Sequence, residues 1–234
     1  MAAPPGAGNH HETTFRDVGA RHARRVAKWY NRSDGPDRKE TSVLSKDDIR
    51  REMRARRKAL TREERERASE AICGKLASVI GAPEPSGGLG AIAVYLASPD
   101  EIDLADFIRE ALGRGVAVVS PRWNGVTYEM ARIRSLSEEH LRRGPMGILE
   151  PADGEIVEPG RIGAWIIPGL AFTKEGVRLG YGGGWYDRLL AASSAGSLKI
   201  GVAHDFQLVD DLPSEPHDIR LDRVVTDAPA RQTG

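Results

Sequence analysis

Two apolar segments separated by a helical one constrain the fold of this chain most strongly. Ala91–Leu96 has the continuous apolar pattern of a buried strand. Asp103–Arg114 has the pattern of a helix, and Gly115 is predicted to end it. Val116–Ser120 has the pattern of a second strand. Because a strand, a helix of about a dozen residues and a strand form a right-handed crossover, we expect the two strands to pair in parallel.

The rest of the chain extends this unit into one α/β domain. Two helices precede it, each announced by a capping pattern, Ser45 with Asp48 and Thr61 with Glu64. A helix is also predicted at Gly184–Ala192, and further strands are predicted at Thr127–Ile133, Ala164–Pro168, Lys199–His204 and Arg223–Thr226. The sequence therefore predicts a single open, mostly parallel, three-layer α/β sheet domain with an N-terminal helical pair, over residues 43–228.

Both ends of the chain are predicted to lie outside this domain. Residues 1–42 begin with several prolines and glycines and are broken again at Ser33–Pro36, which indicates a disordered extension. A short basic helix is compatible with the arginines between Arg21 and Arg32, but we assign it no function. Residues 229–234 are predicted to form a tail.

Charge and cysteine content exclude several classes of function. Lys and Arg number 34 and Asp and Glu number 34, so the molecule has no net field to direct it to nucleic acid or a charged membrane, and neither is expected as a partner. The single cysteine, Cys73, excludes an intramolecular disulfide and is expected to be a small buried hydrophobe. The apolar runs are far shorter than the roughly 20 residues that span a bilayer. We therefore expect a cytoplasmic protein, a monomer or weak dimer.

A glycine-rich loop (Gly176–Gly184) lies between a predicted strand and a predicted helix. Its backbone N–H groups can surround an anion, and Arg178 can bind phosphate oxygens in a fork. Asp187, one turn into the helix, is placed to hold Mg²⁺ against such phosphates. The alternative is a tight turn without a ligand, because the segment matches neither the dinucleotide nor the P-loop template.

The whole segment Arg178–Asp187 resembles the signature of the 5-formyltetrahydrofolate cyclo-ligase family, in which arginine, leucine and glycine precede a glycine-rich triplet, two aromatics and aspartate. Further matching segments follow the order of the family, and the resemblance runs from about Leu44 to Asp227; these segments are Lys46–Arg50, Ser98–Ile102, Tyr128–Ile133, Gly147–Pro151, Ile167–Phe172, Pro216–Asp218 and Leu221–Asp222.

This resemblance implies ATP as cosubstrate, Mg²⁺ as cofactor and 5-formyltetrahydrofolate as substrate. The implied catalytic residues are Lys46, Arg178 and Tyr186. The implied ATP-binding residues are Lys46, Arg50, Arg178, Leu179, Gly180, Gly182, Gly183, Gly184, Trp185 and Tyr186. The implied folate-binding residues are Leu96, Glu101, Met130, Met146 and Tyr186, and the implied metal ligands are Asp187 and Asp218.

Several of these residues also have an ordinary structural interpretation. Lys46 fits a solvated helix face, and Glu101 fits a first-turn helix acid. Leu96 and Met130 fit core packing, and Asp218 fits a turn. Two departures from the family pattern, Trp185 where tyrosine is usual and Met146 where an aromatic is usual, affect the fit of the substrate more than the ATP site.

The implied reaction uses ATP to turn the formyl oxygen into a leaving group, so that 5,10-methenyltetrahydrofolate, ADP and phosphate are formed. Such chemistry needs positioning and charge neutralisation more than a strong base. Two alternatives remain: a paralogue that acts on another pterin or heteroaromatic substrate, and a nucleotide-binding or nucleic-acid-associated module that uses the basic segments Arg21–Arg32 and Lys46–Arg67.

Overall fold

The computed structural model describes residues 45–80, 90–215 and 218–229. The predicted extension of residues 1–42, its basic helix, His217 and nearly all of the tail lie outside the described residues. Four α-helices are present in the described part of the chain: α1 (Lys46–Ala59), α2 (Arg62–Ile80), α3 (Ala105–Gly113) and α4 (Trp185–Ala191).

Both predicted caps of the helical pair are present. The Ser45 side chain accepts a hydrogen bond from the Asp48 N–H at 3.1 Å. Thr61 and Glu64 form the reciprocal pair, because each side chain accepts from the backbone N–H of the other. The third helix starts at Ala105 rather than Asp103, and the Asp103 carboxylate accepts from the Ala105 N–H at 2.9 Å.

Six strands form the central sheet. They are β1 (Ala91–Ala93), β2 (Val118–Trp123), β3 (Tyr128–Arg132), β6 (Ile162–Ile167), β9 (Leu198–Ala203) and β10 (Arg223–Thr226), in the spatial order β10-β9-β6-β1-β2-β3. The first two strands are parallel, as the crossover predicts, and within this sheet, as far as the structure describes it, β2 and β3 are the one antiparallel pair. The mostly parallel α/β fold is therefore confirmed.

Four short strands were not predicted. β4 (Leu141–Arg143) pairs antiparallel with β5 (Leu149–Pro151), and β7 (Ala171–Phe172) pairs antiparallel with β8 (Arg178–Leu179). β8 lies within the glycine-rich loop, immediately before Gly180. Its pairing with β7 therefore fixes the backbone at the point where the glycines begin to line the cavity.

The sheet has apolar layers on both faces, because residues of its inner strand β6 alternate between them. Ala164 and Ile166 pack with α2 and α3 on one face. Trp165 and Ile167 pack with Phe172 and with α4 on the other. This is the predicted three-layer arrangement.

Two further observations concern the sequence expectations. Cys73 is buried in α2, and burial raises the pKa of its thiol, as expected for a packing cysteine. No helix within the described ranges is long and apolar enough to cross a membrane.

Candidate active site

A cavity of about 570 Å³ lies at the carboxyl ends of β1 and β6. Its wall includes Tyr95 and Leu96 after β1, Ser120 and Pro121 of β2, and Pro168 after β6. The strand order changes direction here, since β2 lies on one side of β1 while β6 and β9 lie on the other. Open α/β sheets bind their ligands at such a switch point.

The glycine-rich loop forms one part of the wall, from Gly180 to Gly184. Gly176, Gly182 and Gly184 have positive φ angles of 82°, 103° and 63°. Residues other than glycine rarely adopt this backbone conformation. The path of the loop around the cavity therefore depends on glycine at these three positions.

One face of α1 brings positive charge to the same cavity. Four basic side chains spaced four residues apart line it: Lys46, Arg50, Arg54 and Lys58. Lys46 Nζ lies 2.7 Å from the Glu215 carboxylate, and Arg50 Nε donates to the carbonyl oxygen of Gly180 at 3.0 Å. Arg50 thus fastens the helix to the glycine-rich loop, and the spacing of four residues puts all four cations on one stripe.

Arg178 and Asp187 form an ion pair at the base of the loop, with Nη2 2.7 Å from Oδ1. The arginine side chain is only 5 % exposed, and its Nε has no hydrogen-bond partner among the described residues. Its guanidinium lies 5.6 Å from the centre of the Tyr186 ring. Burial raises the pKa of Tyr186, and the charge of Glu101 raises it further, so this phenol remains protonated at neutral pH.

The two predicted metal ligands, Asp187 and Asp218, both line the cavity. Arg178 contacts only Oδ1 of Asp187, and Asp218 accepts a hydrogen bond from the backbone N–H of Glu215 at 2.7 Å. The described residues contain no group of three acidic, histidine or cysteine side chains arranged as a protein-only metal cage. Two carboxylates on the wall of one cavity fit Mg²⁺, which commonly takes one or two carboxylates together with phosphate and water oxygens.

Glu101 lies in the loop after β1, and its side chain is 8 % exposed. Its Oε2 accepts hydrogen bonds from the backbone N–H and the hydroxyl of Ser98 at 2.9 and 2.8 Å. Its Oε1 accepts from the hydroxyl of Tyr181, in the glycine-rich loop. It precedes α3 by several residues and is held by these contacts rather than by the helix.

The predicted folate contacts divide into two groups. Leu96 and Met146 line the cavity, and Met146 is 69 % exposed at its margin. Met130 is 1 % exposed, packs in the core and does not line the cavity, which matches its alternative interpretation. Every other predicted site residue lines this one cavity, although the ligand contact of each stays a prediction.

Sequence reasoning missed Trp123 and Tyr128, and it also missed Arg57 and Tyr181. Trp123 and Tyr128 form an edge-to-face cluster with the predicted residue Trp185, with ring centres 5.1 to 5.4 Å apart, and Tyr128 and Trp185 line the cavity. Arg57 and Tyr181 join Glu101 in a hydrogen-bonded network described below. Arg57 follows Arg50 and Arg54 at helical spacing, and this periodicity is a signal that could have revealed it.

Comparisons with known proteins converge on one family. The model of the 5-formyltetrahydrofolate cyclo-ligase family matches residues 42–227. A 5-formyltetrahydrofolate cyclo-ligase of Escherichia coli K12 is 32 % identical over 178 residues, covering 74 % of this chain and 96 % of the relative. The mouse protein of the same name is 28 % identical over 194 residues, covering 78 % and 94 %. A solved 5,10-methenyltetrahydrofolate synthetase of Aquifex aeolicus superposes with a TM-score of 0.68 at 35 % identity, covering 80 % of this chain and 91 % of that one.

Proposed function

This chain belongs to the 5-formyltetrahydrofolate cyclo-ligase family, and we propose that its cavity binds ATP beside 5-formyltetrahydrofolate and closes the formyl group into the ring of 5,10-methenyltetrahydrofolate. One observation carries this proposal. A single cavity at the switch point of the sheet is lined by the basic face of α1, the glycine-rich loop and the Glu101 carboxylate. The groups that suit phosphate and the groups that suit a pterin therefore lie in the same cavity.

The phosphates of ATP fit the side of the cavity between α1 and the glycine-rich loop. Lys46 and Arg50 provide positive charge there, and the loop from Gly180 to Gly184 provides backbone N–H groups unobstructed by Cβ atoms. Arg178 Nε, which has no hydrogen-bond partner among the described residues, belongs to a side chain on the same wall. Leu179, Trp185 and Tyr186 complete this part of the wall.

The pterin of the folate fits the side lined by apolar and aromatic groups. Leu96 and Met146 provide apolar surface, and Glu101 provides a carboxylate for ring N–H groups. Because Oε1 and Oε2 of Glu101 are already hydrogen-bonded, its orientation is set before the folate enters.

The reaction needs the formyl oxygen to become a leaving group. The formyl oxygen attacks the γ-phosphate and ADP departs; nitrogen 10 then attacks the activated carbon, phosphate leaves with the former formyl oxygen, and the proton of nitrogen 10 is released. Lys46, Arg50 and Arg178 offset the negative charge that moves between phosphate oxygens. Tyr186, kept protonated by burial, is placed to donate a hydrogen bond rather than to remove a proton.

Asp187 and Asp218 would hold Mg²⁺ in this site. When bound, the cation would neutralise part of the charge of the phosphates. Within the protein, the Arg178 pair fixes the rotamer of Asp187, and the Glu215 N–H fixes that of Asp218. Both carboxylates therefore face the cavity without rearrangement of the backbone.

An absorbance assay tests the proposed function. The purified chain is incubated with 5-formyltetrahydrofolate, ATP and Mg²⁺, and formation of the methenyl chromophore is followed, with each component left out in turn. We expect chromophore only in the complete mixture. ATP turnover with another pterin, and none with 5-formyltetrahydrofolate, would identify a paralogue instead.

A further inference from the structure

A buried arginine of α1 connects the two sides of the cavity. Arg57 is 3 % exposed, and its Nε and Nη2 donate to Oδ2 of Asp100 at 3.2 and 2.7 Å. Its Nη1 donates to the Tyr181 hydroxyl at 2.6 Å. The guanidinium therefore binds the loop after β1 and the glycine-rich loop at the same time.

The Tyr181 hydroxyl lies between this cation and Glu101. It accepts from Arg57 and donates to Oε1 of Glu101, while Arg57 Nη1 and that carboxylate oxygen are 4.0 Å apart. The hydroxyl therefore separates two opposite charges that would otherwise be free to pair directly. Burial, followed by the charge of Glu101, raises the pKa of Tyr181, so the O–H is present as a donor at neutral pH.

This contact links residues with different proposed ligands. Tyr181 stands between Gly180 and Gly182, in the part of the loop proposed for phosphate binding. Glu101 belongs to the loop proposed for folate binding. A movement of the glycine-rich loop must therefore change one of the hydrogen bonds that orient Glu101.

We propose that the Tyr181 hydroxyl is a positioning group that couples the two substrates: it orients Glu101 toward the folate when the glycine-rich loop is in its nucleotide-bound position. Each ligand then strengthens the binding of the other, since such coupling is reciprocal. This inference rests on the proposed function and adds a determinant to it. The Tyr181 hydroxyl thereby has a role that the glycines and the arginine of the same segment cannot have, because they carry no hydroxyl group.

Removal of the hydroxyl alone provides the test. Tyr181→Phe keeps the ring beside the guanidinium groups of Arg54 and Arg57, both 5.7 Å from its centre. The residue is 39 % exposed, so the variant leaves the apolar core intact and should fold. Without the hydroxyl, Arg57 and Glu101 can pair directly, and the orientation of Glu101 no longer depends on the loop.

The measurement is the dissociation constant of 5-formyltetrahydrofolate with and without a non-hydrolysable ATP analogue and Mg²⁺. We expect the analogue to tighten folate binding by about tenfold in the wild type, and by less than about twofold in Tyr181→Phe. Tyr128→Phe is the matched control, because Tyr128 also lines the cavity but its hydroxyl makes no hydrogen bond among the described residues. Its coupling factor should equal that of the wild type.

The inference would be overturned by a wild-type coupling factor of one, or by a factor in Tyr181→Phe equal to the wild-type value. Equal loss in Tyr128→Phe and Tyr181→Phe would also overturn it, because any wall hydroxyl would then have the same effect. Product formation by the wild type separates this question from the proposed function. Turnover without coupling defeats only the inference, whereas absence of turnover defeats the proposed function.

Discussion

Three of the carboxylates on the cavity wall are held in three different ways. Glu101 accepts hydrogen bonds from hydroxyl and backbone N–H groups, Asp187 pairs with the buried Arg178, and Asp218 accepts from a backbone N–H. Arg57 Nη1 lies 4.0 Å from Oε1 of Glu101, whereas Arg178 Nη2 lies 2.7 Å from Oδ1 of Asp187. At the level of single residues, this difference supports the proposed roles of Glu101 as a folate contact and of Asp187 as a metal ligand.

Substitution of Asp187 separates metal binding from structural pairing. Asp187→Asn keeps the shape but removes the charge that attracts a hard divalent cation, so apparent Mg²⁺ affinity at saturating ATP and folate should fall about tenfold. The change also leaves Arg178 without its anion, which should cost about 1–3 kcal/mol of stability. The measurements are a magnesium titration of turnover and thermal unfolding without ligands.

Asp106→Asn is the control for this experiment. Asp106 is also a first-turn helix aspartate paired with an arginine, Arg109, at 2.6 Å, but it does not line the cavity. Its magnesium curve should be that of the wild type. A less stable Asp187→Asn protein with an unchanged magnesium curve would show that the aspartate serves only Arg178.

Met146 offers a prediction about the folate. It is 69 % exposed at the cavity margin, so Met146→Ala should change stability by less than about 0.5 kcal/mol. If the methionine covers the pterin, loss of this apolar contact should raise the KM for 5-formyltetrahydrofolate about three- to tenfold with little change in kcat. Val126→Ala is the control, because Val126 is 82 % exposed and does not line the cavity. Identical KM values in the two variants would exclude the contact.

Site residues were predictable where a local segment carries them. Arg178, the glycines and Asp187 occur within one short segment, so a phosphate and metal site could be hypothesised from the sequence, and the structure brings these residues to one cavity. Glu101 was predicted and helical spacing could have indicated Arg57, but the contacts of both with Tyr181 were not predictable, because the three residues are far apart in sequence and meet only in the folded protein. Met130 shows the opposite case, since its position in a strand does not reveal which face it occupies.

At the scale of elements, length decided what could be predicted. The helices and the longer strands repeat their apolar pattern often enough to be recognised. The pairs β4–β5 and β7–β8 consist of only two or three residues in each strand, so alternation cannot identify them. β7 and β8 also hold Phe172 and Leu179 in the core next to the glycine-rich loop.

A substitution in the glycine-rich loop tests whether the loop needs a close backbone approach. At Gly176, φ is 82° and a Cβ atom would lie 2.0 Å from the carbonyl oxygen of Leu221, so Gly176→Ala must displace the backbone. We expect a loss of about 1–3 kcal/mol in the free energy of unfolding, together with weaker nucleotide binding. Chemical denaturation and nucleotide titration measure these two effects.

Gly113→Ala is the matched control. Gly113 ends α3 and a Cβ there would meet no atom within 4 Å, so alanine should leave stability unchanged or raise it by up to about 1 kcal/mol. Equal unfolding free energies for Gly176→Ala and the wild type would mean that the loop accommodates the Cβ and is not held by this close approach.

At the scale of the whole molecule, the crossover of β1, α3 and β2 determines where the cavity forms. Parallel pairing brings the carboxyl ends of β1 and β6 together, and the motifs that follow these strands meet there. The sequence predicted this architecture because the apolar runs and helical patterns are recognisable; even β1, which is only three residues long, lies within the apolar run Ala91–Leu96. It did not predict the sheet order, which depends on packing between distant segments.

The match to the family begins at residue 42, which leads to a prediction about the preceding chain. Deletion of residues 1–41 should leave kcat/KM for both substrates within about twofold of the full chain, because chain ends outside a site tolerate truncation and no predicted site residue precedes Lys46. Steady-state kinetics of the two proteins, with matched thermal unfolding, measure this. A tenfold loss in a well-folded truncated protein would show that the extension contributes to the site.

We propose that one cavity couples ATP cleavage to closure of the folate ring. A single time course tests this coupling if ADP and 5,10-methenyltetrahydrofolate are both quantified from 5-formyltetrahydrofolate, ATP and Mg²⁺. We expect the two products to form in equal amounts, and we expect neither product when ATP or 5-formyltetrahydrofolate is left out. Ring closure without ATP, or steady ADP formation without methenyl product, would contradict this proposal.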